Sequence, residues 1–213
     1  MSLSVLQILQ RSPVMPVLVI EKLDDAVPLA KALYNGGLHV LEVTLRSSVA
    51  LEAISLIHKA LPEAIVGAGT ILNVADMDAA TQHGAQFLVS PGCHKNLAQH
   101  ALMHKMAFLP GVATPSEAMS LFTMGFTELK FFPAQAAGGI PMLKSMFGPL
   151  PQLTFCPTGG IDLEKAADYL TLPNVVCVGG SWMVTQKDIT DKNWVRILDL
   201  AGDAARLSSS GVR

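Results

Sequence analysis

Lys130 stands inside the apolar run Glu128-Leu129-Lys130-Phe131-Phe132-Pro133, which otherwise reads as a buried strand. Lysine is almost never fully buried unless it is paired or put to use. Desolvation disfavours the ammonium, so an amine held there is available in its neutral, nucleophilic form. The chemistry this suggests is attack on a carbonyl carbon to give a Schiff base. A second group of charges lies in Leu41-Glu42-Val43-Thr44-Leu45-Arg46. Side chains alternate along a strand, so Glu42, Thr44 and Arg46 share one face and Leu41, Val43 and Leu45 the other. The same parity sets Glu128, Lys130 and Phe132 against Leu129 and Phe131. Thr70 follows Gly67-Ala68-Gly69, whose small residues leave room beside it.

A plainer reading makes Glu42 with Arg46, or Glu42 with Lys130, a buried structural ion pair. Burying several charges costs several kcal/mol each, and pairing often fails to recover it. A carboxylate, a guanidinium and a lysine on inward faces of nearby strands therefore favour a functional site. Two glycine pairs add an anion site: Pro157-Thr158-Gly159-Gly160 and Val178-Gly179-Gly180-Ser181. Glycine lets backbone N–H groups approach an anion closely, and Ser181 offers a hydroxyl donor. Taken singly, each pair would only make a tight turn.

The elements that must position these residues are strand-like runs alternating with helical spacing. The runs are Val17–Ile20, His39–Thr44, Ile65–Gly69, Gln86–Ser90, Ala107–Pro110, Glu128–Phe132, Leu153–Pro157 and Val175–Gly179. Helical patterns follow them at Asp24–Tyr34, Val49–Ala60, Val74–His83, Lys95–Lys105, Ser116–Met124, Pro141–Phe147, Leu163–Tyr169 and Asn193–Leu207. Strand then helix, repeated throughout, predicts a parallel sheet with right-handed crossovers that closes into a (β/α)8 TIM barrel. Val5–Gln10 predicts an extra N-terminal helix ahead of the first strand, closing the barrel bottom. Active sites in such barrels form at the C-terminal strand ends, often with phosphate in the loops after the seventh and eighth strands, where the glycine pairs fall. Thr114 and Asp162 are expected helix caps, Asn35-Gly36-Gly37 and Gly125 helix stops, and Glu117 a complement to a helix dipole.

Half of the 213 residues are hydrophobic and 15% are charged, which fits strands buried on both faces. No linker or second domain shows, so residues 1–213 read as one domain. The net charge is −2 and basic residues never cluster beyond a pair, which argues against nucleic acid or an anionic membrane as partner. No run suits a transmembrane helix, and Met1 to Gln10 lacks the basic region and cleavage site of a signal peptide. Cys93, Cys156 and Cys177 show no ligand spacing and suit a reducing cytoplasm. His94, His100 and His104 suit surface or packing roles better than a metal site, and the ten methionines read as core filler.

Seven motifs, in order at successive strand ends, carry a resemblance. LEVTLR (Leu41–Arg46), GAGT (Gly67–Thr70), SPG (Ser90–Gly92), PG followed by TPSE (Pro110–Glu117), KFFPA (Lys130–Ala134), PTGG (Pro157–Gly160) and GGSW (Gly179–Trp182) resemble the 2-keto-3-deoxy-6-phosphogluconate (KDPG) aldolase family. The family is also named for 4-hydroxy-2-oxoglutarate, and the resemblance runs from about Val14 to Val184. It implies a class I aldolase without metal or cofactor on a (β/α)8 barrel, usually a homotrimer, serving the Entner–Doudoroff pathway in the cytoplasm. By the same resemblance Lys130 forms the Schiff base and Glu42 is the general acid/base. Arg46 grips the substrate carboxylate with Thr70 assisting, and Pro91 and Phe132 line the pyruvate pocket. Gly159, Gly160, Gly180 and Ser181 hold the phosphate, and Thr158 bears on stereochemical preference at C4 and favours the gluconate substrate. The implied reaction cleaves 2-dehydro-3-deoxy-6-phosphogluconate to pyruvate and glyceraldehyde 3-phosphate, and 4-hydroxy-2-oxoglutarate to pyruvate and glyoxylate. Two other readings of the residues stay open: another phosphosugar barrel enzyme (isomerase or epimerase) that forms no imine, and a non-catalytic phosphometabolite-binding barrel.

Overall fold

Strands with branched and other apolar residues at nearly every position must be covered on both faces. All five residues of β2 (Val40–Thr44) and of β3 (Ile65–Gly69) are buried. A computed structural model describes residues 3–207; of the expected 1–213 domain, residues 1–2 and 208–213 lie outside the described residues. The fold is α/β with parallel strands. One sheet runs in the order β5 (Phe108–Leu109), β4 (Leu88–Val89), β3, β2, β1 (Val14–Leu18), β9 (Val178–Gly180). A second holds β6 (Gly111–Val112), β7 (Glu128–Phe131) and β8 (Thr154–Pro157) in that order. Pro110 alone separates β5 from β6, and bridges Phe155–Val175 and Thr158–Gly179 tie β8 to the chain that forms β9.

The helices are α1 (Val5–Leu9), α2 (Leu23–Asn35), α3 (Ala50–Ala60), α4 (Val74–Gln82), α5 (Lys95–Met103), α6 (Pro115–Thr123), α7 (Gly139–Phe147), α8 (Leu163–Leu170), α9 (Gln186–Thr190) and α10 (Trp194–Ala205). Their starts follow local rules. Thr114 accepts from Glu117 N while Glu117 reaches back to Thr114 N, a reciprocal cap that sets Pro115 at the first turn of α6. Asp162 caps α8 by accepting from Lys165 N. Ser4 and Gln7 make the same reciprocal cap on α1.

Several predicted boundaries are corrected. The fifth run, expected over Ala107–Pro110, is two short strands, because Pro110 has no N–H to give the ladder. Its carbonyl still accepts from Lys130 N at 2.9 Å. The first strand begins at Val14 rather than Val17 and continues through Pro16, which stands opposite Gly180. The last strand is Val178–Gly180, later than expected. Helix α9 was not predicted; five mostly polar residues carry too little periodicity to reveal it.

Two apolar clusters result. The larger lies between helices and sheets and includes Leu33, Ile54, Val66 and Leu129. The smaller is flanked by Met15, Val40, Ile65, Phe87, Leu109 and Cys177, and α1 adds Ile8 and Leu9 to it. Val40 and Ile65 open their strands, so α1 packs at the strand starts and leaves the strand ends free.

Candidate active site

The strand register brings the charges together. Glu42 stands opposite Val17 on β1 and Gly67 on β3, and Lys130 opposite Gly111 on β6 and Cys156 on β8. Lys130 Nζ donates to Glu42 Oε1 at 3.2 Å, with Glu42 fully buried and Lys130 5% exposed. Glu42 Oε2 is buried without a partner. The ion pair weighed against function is thus present, but it satisfies one carboxylate oxygen and leaves the other aimed at nothing in the protein. A buried acceptor left open is costly, and a proton-bearing ligand group would satisfy it. The carboxylate fits only because residue 69 is glycine: a Cβ there would overlap it.

Above the pair is a cavity of about 200 Å³ lined by Val17, Glu42, Thr44, Arg46, Thr70, Pro91, Lys130, Phe132 and Thr158. Thus Glu42, Arg46, Thr70, Pro91, Lys130, Phe132 and Thr158 come together around one cavity, and Glu128 does not line it. Arg46 makes no ion pair with any carboxylate among the described residues; its Nε donates to Thr44 Oγ1 at 3.1 Å. Thr70 has φ +61°, a left-handed conformation costly for a β-branched residue. Pro91 is held by its neighbours: Gly111 N donates to Ser90 Oγ at 3.3 Å, and a Cβ on Gly111 would collide with the Pro91 backbone. Lys130 Nζ is 5.5 Å from the centre of the Phe132 ring, and the Phe132–Pro133 peptide is cis.

Below the pair lie two thiols. Cys177 Sγ donates to Cys156 Sγ at 3.5 Å. That bond, burial, and the charges of Cys156 and Glu42 push the Cys177 thiol well above its ordinary range, so it stays protonated.

Gly159, Gly160, Gly180 and Ser181 do not line the cavity, although Gly159 lies against the Phe132 ring, which does. Thr158, which does line it, bridges to Gly179. Gly159 and Gly160 have φ +108° and +73°, conformations that only glycine adopts readily. The loop is tied down by Ala134 N donating to Thr158 O (2.8 Å) and Gln135 N to Gly159 O (3.2 Å). The N–H groups of Gly160 and Ser181 meet no acceptor among the described residues. Ser181 is exposed and Gly180 is packed under the Trp182 ring.

Sequence reasoning gave no role to Val17 or Thr44. Parity had put Thr44 on the correct face, but its partners, Leu18 O and Arg46 Nε, are fixed by the fold. A larger cavity, about 340 Å³, lies between Glu21, Asp24 and Asp25 near α2 and Gln186 on α9. It contains neither Lys130 nor Glu42, and three carboxylates beside two lysines suit an anionic substrate poorly. His100 Nε2 pairs with Asp78 at 2.8 Å and its ring packs at a tilt against that of His104. No three His, Cys, Asp or Glu side chains gather as metal ligands among the described residues, and no helix of these residues is long and apolar enough to cross a membrane.

The family model for KDPG and KHG aldolases matches residues 5–200. The 2-dehydro-3-deoxy-phosphogluconate aldolase of Dickeya dadantii (strain 3937) is 48% identical over 198 residues, 93% of each chain. KDPG aldolase from Legionella pneumophila, solved with pyruvate captured at low pH as a covalent carbinolamine intermediate, superposes with a TM-score of 0.94. It is 45% identical, over 95% of this chain and 98% of that one. The 2-keto-3-deoxy-6-phosphogluconate aldolase of Zymomonas mobilis ZM4, solved with 3-phosphoglycerate, gives 0.92 at 46% identity and covers 98% of both chains.

Proposed function

The chain belongs to the KDPG and KHG aldolase family, and on that premise we propose that Lys130 and Glu42 run a class I, Schiff-base aldol cleavage in the cavity they share. The substrate is 2-dehydro-3-deoxy-6-phosphogluconate, cleaved to pyruvate and glyceraldehyde 3-phosphate. 4-Hydroxy-2-oxoglutarate, with the same pyruvate half, yields pyruvate and glyoxylate. The observation that carries this reading is the 3.2 Å contact between Lys130 Nζ and Glu42 Oε1 with Oε2 left open.

Lys130, as the neutral amine, attacks the C2 ketone to form a carbinolamine, which loses water to give an iminium. The iminium nitrogen is an electron sink next to C3. Glu42, directly or through a water, takes the proton of the C4 hydroxyl. The C3–C4 bond breaks, its electron pair enters the enamine, and the aldehyde leaves. Glu42 returns a proton to C3, and hydrolysis frees pyruvate and the amine. Arg46 holds the carboxylate through charge-assisted hydrogen bonds, with Thr70 assisting. Pro91 and Phe132 wall the pyruvate. Thr158 faces the C4 end, and Gly159, Gly160, Gly180 and Ser181 take the phosphate, a role supported by the unclaimed N–H groups of Gly160 and Ser181.

The fold reading that accompanies this is one (β/α)8 domain, with β5 and β6 as a single strand interrupted at Pro110 and α1 as the extra N-terminal helix. The bridges from β8 to Val175 and Gly179 support closure. A homotrimer belongs to the same reading; exposed Leu102, Met103 and Met119 supply apolar surface for it. Three free cysteines suit a cytoplasmic setting.

The test is borohydride reduction in the presence of pyruvate, then intact mass and peptide mapping. One pyruvate-derived adduct on Lys130 is expected. No adduct, or an adduct on another lysine, would remove the mechanism and favour an isomerase or a binding barrel.

A further inference from the structure

We infer that Thr44 is a positioning residue for substrate binding, acting through Arg46; this rests on the reading of Arg46 as the carboxylate clamp. A threonine hydroxyl carries one proton and two lone pairs. Thr44 Oγ1 gives its proton to Leu18 O on β1 at 2.7 Å, so a lone pair faces Arg46. Arg46 Nε has only an N–H to offer, and it meets that lone pair at 3.1 Å. The polarity of the chain is therefore fixed in one direction, from guanidinium to hydroxyl to backbone.

The arrangement does for Arg46 what burial does for Lys130. Arg46 is exposed and has many rotamers to lose, whereas Thr44 is 2% exposed and β-branched, hence rigid. The backbone around Arg46 is held on both sides. Leu45 N donates to Gly69 O at 2.8 Å, and Ser47 Oγ donates to Ile20 O at 2.5 Å. With the segment stapled to β3 and to the loop after β1 and Nε engaged, only the two terminal nitrogens remain for a ligand. They form a fork that accepts a carboxylate end-on. Ordering this fork before the substrate arrives removes part of the entropy cost of binding.

The experiment is a double-mutant cycle read by the pyruvate concentration that half-saturates borohydride trapping. Thr44→Val keeps the shape and the strand preference and removes the hydroxyl. It is expected to raise that concentration about tenfold, the scale of one hydrogen bond to a charged group, with a smaller change in kcat. Thr44→Ser is expected to recover most of the loss. In an Arg46→Ala background, Thr44→Val should change the half-saturating concentration by less than about twofold, because its effect passes through the missing guanidinium. A Thr44→Val protein that binds pyruvate like the parent overturns the inference, as does a tenfold loss that persists without Arg46. If Arg46→Ala itself binds pyruvate normally, the clamp reading fails and takes the inference with it, an outcome distinct from the other two. Should Thr44→Val fail to fold, Thr44→Ala removes the same hydroxyl and is judged by the same cycle.

Discussion

The Lys130–Glu42 pair and the glycine loops after β8 and β9 stand at adjoining parts of the site and are built in opposite ways. Around the pair, side chains from several strands converge at 0–5% exposure, and the specific atoms are Nζ, Oε1 and a free Oε2. At the loops, side chains are absent or exposed, and the groups on offer are backbone N–H of Gly160 and Ser181. The proton-transfer end needs one nucleophile and one base at fixed separation, which burial enforces. On the proposed reading the anion end needs several donors at close range, for which the N–H groups of Gly160 and Ser181 are free among the described residues. Damage to the first should cost turnover, and damage to the second should cost discrimination between substrates.

The severest break is Lys130→Met. It leaves no amine to form an imine, so neither turnover nor a borohydride adduct is expected while the fold persists. Normal cleavage by that protein would overturn the mechanism. Glu42→Gln keeps the amine and should still form the adduct, with kcat lower by roughly 10²–10⁴-fold. Gly69→Ala attacks the same pair without touching a reacting group. Its Cβ overlaps the Glu42 carboxylate, which must move toward the cavity it lines. A shift of the base by about 1 Å is expected to cost on the order of 10²-fold in kcat. In Glu42→Gln, adding Gly69→Ala should cost far less; equal losses in both backgrounds would show that Gly69 does not act through Glu42.

Ser181→Ala tests the other end. One hydrogen bond to the phosphate anion lost there, screened by solvent at this exposed serine, should lower kcat/KM for the phosphorylated substrate about tenfold and leave 4-hydroxy-2-oxoglutarate unaffected. A matching loss on both substrates would mean that the loop shapes the whole site and that the contrast between its two ends is false.

The same contrast explains what could be read from the chain. Lys130 and Glu42 were legible because a charge in an apolar strand violates the burial rule, and alternation then assigned the faces of Thr44 and Arg46. The glycine pairs were legible because two of them fall at matching strand ends. Gly69 was read as giving room, but what occupies that room, the Glu42 carboxylate, depends on the β2–β3 register. Thr44 showed its face but not its task, since Leu18 lies 26 residues earlier in the chain. The split of the fifth strand was written in Pro110 and was passed over because the flanking residues are apolar. Pro16 stands just before the run expected as the first strand, yet buried Val14 and Met15 carry the strand through it.

A helix start outside both regions sharpens the comparison with the smallest effect. At α6 the donors that lead into the helix are already claimed by the protein's own carboxylate: Glu117 Oε2 accepts from Ala113 N at 2.8 Å and Thr114 N at 2.9 Å. The hydrogen bond from Ala113, aided by those from Thr114, holds the Glu117 carboxyl below its ordinary 4.5 despite some opposing desolvation. A carboxyl lowered in the folded state adds stability above its unfolded pKa, and that stability is lost as pH falls through the folded value. Glu117→Gln retains a capping acceptor and loses the charge. It should cost about 0.3–1 kcal/mol near neutral pH, the worth of an exposed charge at a helix start. The gap to the parent, measured by urea unfolding, should narrow below about pH 4–5 as the parent takes up its proton. Because no substrate anion can compete for donors already taken, the ratio of activities on phosphorylated and unphosphorylated substrates should not move. A stability gap unchanged at low pH would mean that the charge of Glu117 contributes nothing. A shifted substrate ratio would mean that the anion site extends beyond the glycine loops to α6.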